Sequence, residues 1–253
     1  MKRILFSVAT VVAMAAPALA ADLKAPVMKA PPMAPMSWTG CYLGGGGGYG
    51  LWDQNVTSFS ANVQTDARVN NGGRGWFGTV GGGCDVQVSS NWLVGFFGDY
   101  DFSDIHGDAS VPLSGTAYSG NEKMRSAWSI GGRIGYLITP SVLTYVSGGF
   151  TEARFSSMNL TQTNLTTPDF TIGSHTYSGW FLGGGYEYNL NWLPGWFWKT
   201  EYRLAQYETD RLPLVVFGTG AATSPALSID STKYVQTIRS ELVYRFNWGR
   251  WGR

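Results

Sequence analysis

Along eight separate stretches of about ten to fourteen residues, bulky apolar side chains alternate with glycine or charge. A period of two marks a strand, because successive side chains leave a pleated backbone on opposite faces. About ten residues is also what a tilted strand needs to cross a hydrocarbon layer. After residue 20, no apolar run approaches the eighteen or so residues that a spanning helix requires. If this chain enters a membrane, it must do so as a closed β-barrel.

The eight stretches can be read face by face. In the first, from Trp38 to about Trp52, Cys41 and Leu43 share one parity, with Tyr42 and several glycines on the other. The second places Trp76, Val80, Cys84, Val86 and Val88 opposite Thr79, Gly81, Gly83, Asp85 and Gln87. The third sets Trp92, Val94, Phe96, Tyr100 and Phe102 against Gly95, Asp99 and Asp101. The fourth sets Met124, Trp128, Ile130, Ile134, Tyr136 and Ile138 against Lys123, Arg125, Ser129, Arg133 and Gly135. In the fifth, Val142 to Phe155, the charges Glu152 and Arg154 favour Leu143, Tyr145 and Phe155 as the lipid face. The sixth opposes Trp180, Leu182, Tyr186, Tyr188 and Leu190 to Gly183, Gly185, Glu187 and Asn189. The seventh opposes Trp196, Trp198, Tyr202 and Leu204 to Lys199, Glu201 and Arg203. In the eighth, Tyr234, Ile238, Leu242, Tyr244, Phe246 and Trp248 oppose Lys233, Arg239, Glu241 and Arg245.

Connector lengths alternate too. Residues 89–91, 139–141 and 191–195 are short, whereas 53–74, 104–121, 156–175 and 210–232 are long. Short periplasmic turns and long external loops are the habit of outer-membrane barrels, which also hold an even strand number. The expected fold class is all-β: an eight-stranded antiparallel up-and-down transmembrane β-barrel, with both chain termini on the periplasmic side. Aromatic residues at 15% and 34 glycines suit aromatic girdles and a crowded interior. A net charge of +1 lacks the basic excess of a nucleic-acid binder, so no nucleic acid is expected as partner.

Lys2 and Arg3 precede an apolar run closed by Ala18-Leu19-Ala20, the pattern of a secretory signal peptide cleaved near Ala20. Residues 21–37 carry Pro26, Pro31, Pro32 and Pro35 and read as an extended periplasmic arm. The barrel then occupies 38–248, and 249–253 form a short C-terminal tail. A soluble eight-stranded barrel, with the apolar set inside, is the structural rival. It would expose a glycine-rich, sparsely charged surface, which is unusual in water.

At eight strands the interior is just wide enough for its own side chains to fill. Twelve inward charges are expected there: Asp85, Asp99, Asp101, Arg125, Arg133, Glu187, Lys199, Glu201, Arg203, Arg239, Glu241 and Arg245. Unpaired, they would be costly, so cross-strand networks should form. Cys41 and Cys84 fall in adjacent strands near the periplasmic rim of an oxidising compartment, where a disulfide can form if the register brings them together.

Other motifs carry less. Gly45-x-Gly47-x-x-Gly50 fits a dinucleotide fingerprint without the following helix, and three Asn-x-Thr sequons begin at Asn55, Asn159 and Asn164. His106, with Ser103, Asp104 and Asp108 nearby, invites a hydrolytic or acyl-transfer reading, but a triad is defined by geometry. His106 and His175 with Tyr118 and Tyr177 are the candidates for haem or metal capture. No enzyme activity, cofactor or bound metal is expected.

The segments Trp38-Thr39-Gly40-Cys41-Tyr42-Leu43-Gly44-Gly45, Gly95-Phe96-Phe97-Gly98-Asp99-Tyr100-Asp101-Phe102, Lys199-Thr200-Glu201-Tyr202 and Leu242-Val243-Tyr244-Arg245-Phe246 resemble the alphaproteobacterial outer-membrane immunogenic protein family. These are small porin-like, opacity-type surface antigens, and the likeness covers essentially the whole mature chain. It implies the outer membrane of a Gram-negative bacterium, surface exposure and, in some members, adhesion or haemin binding. It also implies periplasmic chaperones and the barrel-assembly machinery as partners, with Tyr244 and Phe246 in the assembly signal strand. One departure is that Asn247 to Arg253 follow the aromatic at which the family's chains typically stop. The expected role is a structural one in the envelope, with a narrow channel or a loop-based haem or host-surface binder as alternatives.

Overall fold

The computed structural model describes residues 37–246. The leader, nearly all of the proline arm, Trp248 and the short tail lie outside the described residues. Within them the regular structure is all strand: β1 (Gly40–Ser60), β2 (Val63–Gln64), β3 (Val69–Gln87), β4 (Trp92–Leu113), β5 (Thr116–Thr139), β6 (Val142–Phe155), β7 (Met158–Gln162), β8 (Phe170–Ile172), β9 (His175–Asn189), β10 (Trp196–Tyr207), β11 (Asp210–Val216) and β12 (Leu227–Phe246).

Strands β1, β3, β4, β5, β6, β9, β10 and β12 pair antiparallel in that order. The ring closes where β12 returns to β1, in unbroken register from Cys41 opposite Phe246 to Ser60 opposite Leu227. Among the described residues, closure leaves no unpaired edge across the apolar band, where lipid would not tolerate one. The outward apolar set covers Trp92 to Phe102 on β4 and Trp128 to Ile138 on β5. Each is about eleven residues, the length a tilted strand needs to span a bilayer. Tyr244 and Phe246 belong to this outward face at the lower rim, and Tyr244 stacks on Trp196 and Phe246 at 5.2 and 4.9 Å.

The strands do not stop where the apolar band stops. β1, β4, β5 and β12 run for 21, 22, 24 and 20 residues. Above the band the sense of the alternation inverts. On β4, Ile105, Ala109, Val111 and Leu113 are buried, while Asp104, His106 and Asp108 face outward. The surroundings have changed from lipid to water, so the apolar groups turn inward as in any soluble barrel.

The shorter strands keep this upper section closed. β5 pairs with β7, β7 with β8, β8 with β11 and β11 with β12. β7, β8 and β11 thus prolong β6, β9 and β10 after breaks at 156–157, 173–174 and 208–209. The prolonged wall encloses an apolar core of Val56, Leu113, Leu160, Ile172, Leu214 and Ile229. Most of what was expected as long loops is therefore strand. The β4–β5 connection shrinks to Ser114-Gly115, whose φ values of 50° and 80° belong to a tight hairpin turn that suits glycine. Asp66 clamps that tip by accepting from the Ser114 and Gly115 amides at 2.7 and 2.9 Å. Partial burial opposes ionisation of Asp66, but the Thr65 hydroxyl and the two amides outweigh it and hold the carboxyl below its ordinary range.

Two face assignments require correction. On β6, Leu143, Tyr145 and Phe155 are buried, and Val146 and Phe150 meet lipid. Glu152 and Arg154 lie on the outward parity but at the upper edge of the apolar band, where charge is tolerated. On β5, Met124 is buried and Arg125 is exposed, the reverse of the expectation. A β-bulge leaves Arg125 unpaired between Met124–Phe155 and Ser126–Arg154, so the inward parity switches there. Lys123 is likewise outside, paired with Asp104.

Candidate functional site

The interior is the site that the sequence points to, and it is layered. In the lowest layer Asp85 of β3, Arg133 of β5, Glu187 of β9 and Arg245 of β12 form a closed ring. Arg133 binds Asp85 at 2.5 and 2.9 Å and Glu187 at 3.3 Å. Arg245 binds Glu187 at 2.8 and 2.9 Å and Asp85 at 2.7 Å. Each planar guanidinium thus bridges two carboxylates, which a lysine could not do with the same geometry. Aromatic faces complete the solvation: Tyr42 and Tyr145 over Arg133, and Trp38, Tyr42 and Phe197 over Arg245. Trp38, just ahead of β1, is 1% exposed, donates to the Pro140 carbonyl and accepts from Arg245 through its own carbonyl. It stoppers the lower end.

The middle layer joins β4, β10 and β12. Arg203 grips Asp99 in a two-pronged pair at 2.9 Å and also reaches Glu201 at 2.8 Å. Arg239 binds Asp101 at 2.9 and 3.2 Å and Asp99 at 3.2 Å. Lys199 links Glu241 at 3.1 Å with Glu201 at 3.7 Å, and the Tyr145 hydroxyl donates to Glu201 at 2.9 Å. Glycines make the room for these large groups. A Cβ on Gly83 would press on the Tyr42 hydroxyl and Phe97, and one on Gly131 would press on Phe181.

Above the band, Lys233 and Glu122 pair at 2.7 Å, with the ammonium ringed by Phe155, Trp52 and Tyr177 at 4.2, 5.0 and 5.2 Å. The Gln54 amide fits between them, its nitrogen donating to Glu122 and its oxygen accepting from Lys233 and Ser231. Lys233 was on the inward parity of the eighth stretch. Glu122 was missed because it lies beyond the bulge, where the period that located Arg133 no longer applies.

Eleven of the twelve charges expected inside are thus brought together, and Arg125 is excluded by the bulge. An internal cavity between the middle layer and the apolar core measures about 20 Å³, room for about one water. Cys41 and Cys84 stand directly opposite on β1 and β3 and are joined as a disulfide.

The two histidines lie on separate strands, each beside an aspartate. His106 faces outward on β4 with its Nδ1 on the Asp104 carbonyl, whereas Ser103 has the inward parity and accepts from the Ile105 amide. His175, on β9, pairs with Asp210 at 3.0 Å and packs edge-on against Tyr177. Tyr118 stacks on Phe170 and the Tyr177 hydroxyl donates to Ser231. No cluster of three or more metal-binding side chains occurs among the described residues.

A closed wall, apolar outside and charged within across one bilayer's thickness, defines an outer-membrane β-barrel. No family model matches the chain. Over 197 residues, it is 30% identical to the 31 kDa outer-membrane immunogenic protein of Brucella melitensis biotype 1, which covers 73% of this chain and 79% of that protein. The protein of the same description from Brucella suis biovar 1 matches to the same extent. The chain belongs to this family of outer-membrane immunogenic proteins, and its place is the outer membrane. Among solved structures it is similar to the outer membrane protein OprG from Pseudomonas aeruginosa, with a TM-score of 0.55 and 12% identity, over 82% of this chain and 97% of that one. That likeness is one of fold.

Proposed function

We propose that this protein is a non-enzymatic structural barrel of the envelope that conducts no solute and displays a raised, strand-built rim at the cell surface. The observation that carries this reading is the filled interior. The Trp38 stopper, two ion-pair layers, the Lys233–Glu122 pair and the apolar core follow one another along the axis. A solute would have to break several buried ion pairs to pass, each costing more than a surface pair. The rim then supplies the contacts with host surfaces or ligands through its outward polar residues, and the band anchors it in outer-membrane lipid. Delivery to the membrane by periplasmic chaperones and the barrel-assembly machinery, with β12 as the signal strand, belongs to the same reading.

Planar-bilayer recording on the purified barrel tests it. Traces are expected to show no conductance steps above background for wild type, whereas regular steps would establish the narrow-channel alternative.

A further inference from the structure

Irregularities in three neighbouring strands coincide at one height on the outer surface. β5 carries its bulge at Arg125, β6 breaks into β7 at residues 156–157, and β8 breaks from β9 at 173–174. The levels match because Met124 pairs with Phe155, and Phe155 with His175. Together they open an outward groove of about 610 Å³, where Arg125 and Arg154 sit among Ser126, Ser156, Tyr100 and Phe102. A regular β5 would have turned the Arg125 side chain toward the apolar core instead.

Neither arginine makes an ion pair among the described residues. Two carboxylates on the neighbouring wall are engaged elsewhere: Asp104 with Lys123, and Glu152 with the Trp128 indole and the Ser178 hydroxyl. The Ser156 hydroxyl donates to the Lys123 carbonyl, which fixes the groove's upper wall. Immediately below lie the lipid-facing rings of Tyr100, Phe102, Trp128 and Phe150. The two free guanidinium groups are thus held at the height where the acyl region ends and headgroups begin.

We propose that this groove binds the phosphate of an outer-leaflet lipid headgroup, with Arg125 and Arg154 as its two cationic contacts and the aromatic residues beneath packing on the acyl chains. Guanidinium groups suit this ligand because their forked donors match phosphate oxygens. Basic pockets at the membrane boundary take phosphorylated headgroups for the same reason. A soluble phosphate would meet the same two arginines but gain nothing from the rings below.

The test titrates the folded mature protein in detergent micelles with diphosphoryl lipid A, with the same lipid after dephosphorylation, and with inorganic pyrophosphate, reading bound ligand by native mass spectrometry. Wild type is expected to hold diphosphoryl lipid A, and R125A/R154A to bind it about tenfold or more weakly, since two charge-assisted contacts are lost. Dephosphorylated lipid should bind wild type and variant alike. Because Arg125 sits at a bulge, Arg154→Ala on the regular part of β6 provides a second variant, with a smaller loss in the same direction. Equal affinity of wild type and both variants for diphosphoryl lipid A would remove the site. Pyrophosphate binding as tightly as the lipid, and with the same arginine dependence, would reassign it to soluble phosphate and overturn the lipid assignment.

Discussion

Replacing Arg133 by methionine is expected to destabilise the folded barrel by about 3–5 kcal/mol, because it strands buried carboxylates without their partner. Arg133 is 3% exposed and touches both Asp85 and Glu187, which are 1% and 0% exposed. Asp85 would keep only its single contact with Arg245, in a space that water cannot readily enter. The double variant Arg133→Met/Asp85→Leu should recover most of the loss. It leaves Arg245 and Glu187 as a complete two-pronged pair and fills the vacated volume with apolar atoms. Urea unfolding in lipid vesicles measures both. A double variant as unstable as the single one would show that the ring's energy does not reside in charge compensation.

The lipid face should be almost as sensitive. Ile134 is 52% exposed near the middle of the apolar stretch on β5, between Val94 of β4 and Val146 of β6. Ile134→Arg is expected to cost about 2–4 kcal/mol, the depth-dependent penalty of a cation at the bilayer midplane. Ser119→Arg, outward on the same strand but above the band, should stay within about 0.5 kcal/mol of wild type. The same vesicle unfolding measurement separates the two. A neutral Ile134→Arg would place that side chain away from lipid.

The membrane portion was legible because one physical rule governs it throughout. From Trp92 to Phe102, and from Trp196 to Leu204, every second residue must satisfy lipid, so the inward charges followed by parity. The rule failed on β6 because Glu152 and Arg154 are charged yet outward, placed at the upper boundary where lipid no longer forbids charge. It failed on β5 because one inserted residue reverses parity, and nothing in the composition around Arg125 marks a bulge. The upper section was invisible for another reason. On β4 the apolar parity passes from even numbers up to Phe102 to odd numbers from Ile105, although the backbone keeps alternating. Along a single face the apolar pattern therefore ends at Phe102, as it would at a loop. The change lies in the solvent outside the wall rather than in the strand.

The disulfide needed register, which parity does not supply, and the direct opposition of Cys41 and Cys84 appears only once β1 and β3 are paired. The Lys233–Glu122 pair needed both the bulge and the pairing across the barrel.

Methyl-detected NMR of the protein in nanodiscs containing an acyl-chain spin label tests the central claim most directly, that lipid touches the aliphatic and aromatic ridge while the ion pairs and their apolar neighbours fill the centre. Val86, Val94, Ile134 and Leu242 should lose their signals to paramagnetic broadening. Leu93, Leu143 and Val243, buried on the same strands or their neighbours, should keep theirs. The reverse pattern, with the second set broadened and the first preserved, would contradict a barrel that faces lipid with this surface.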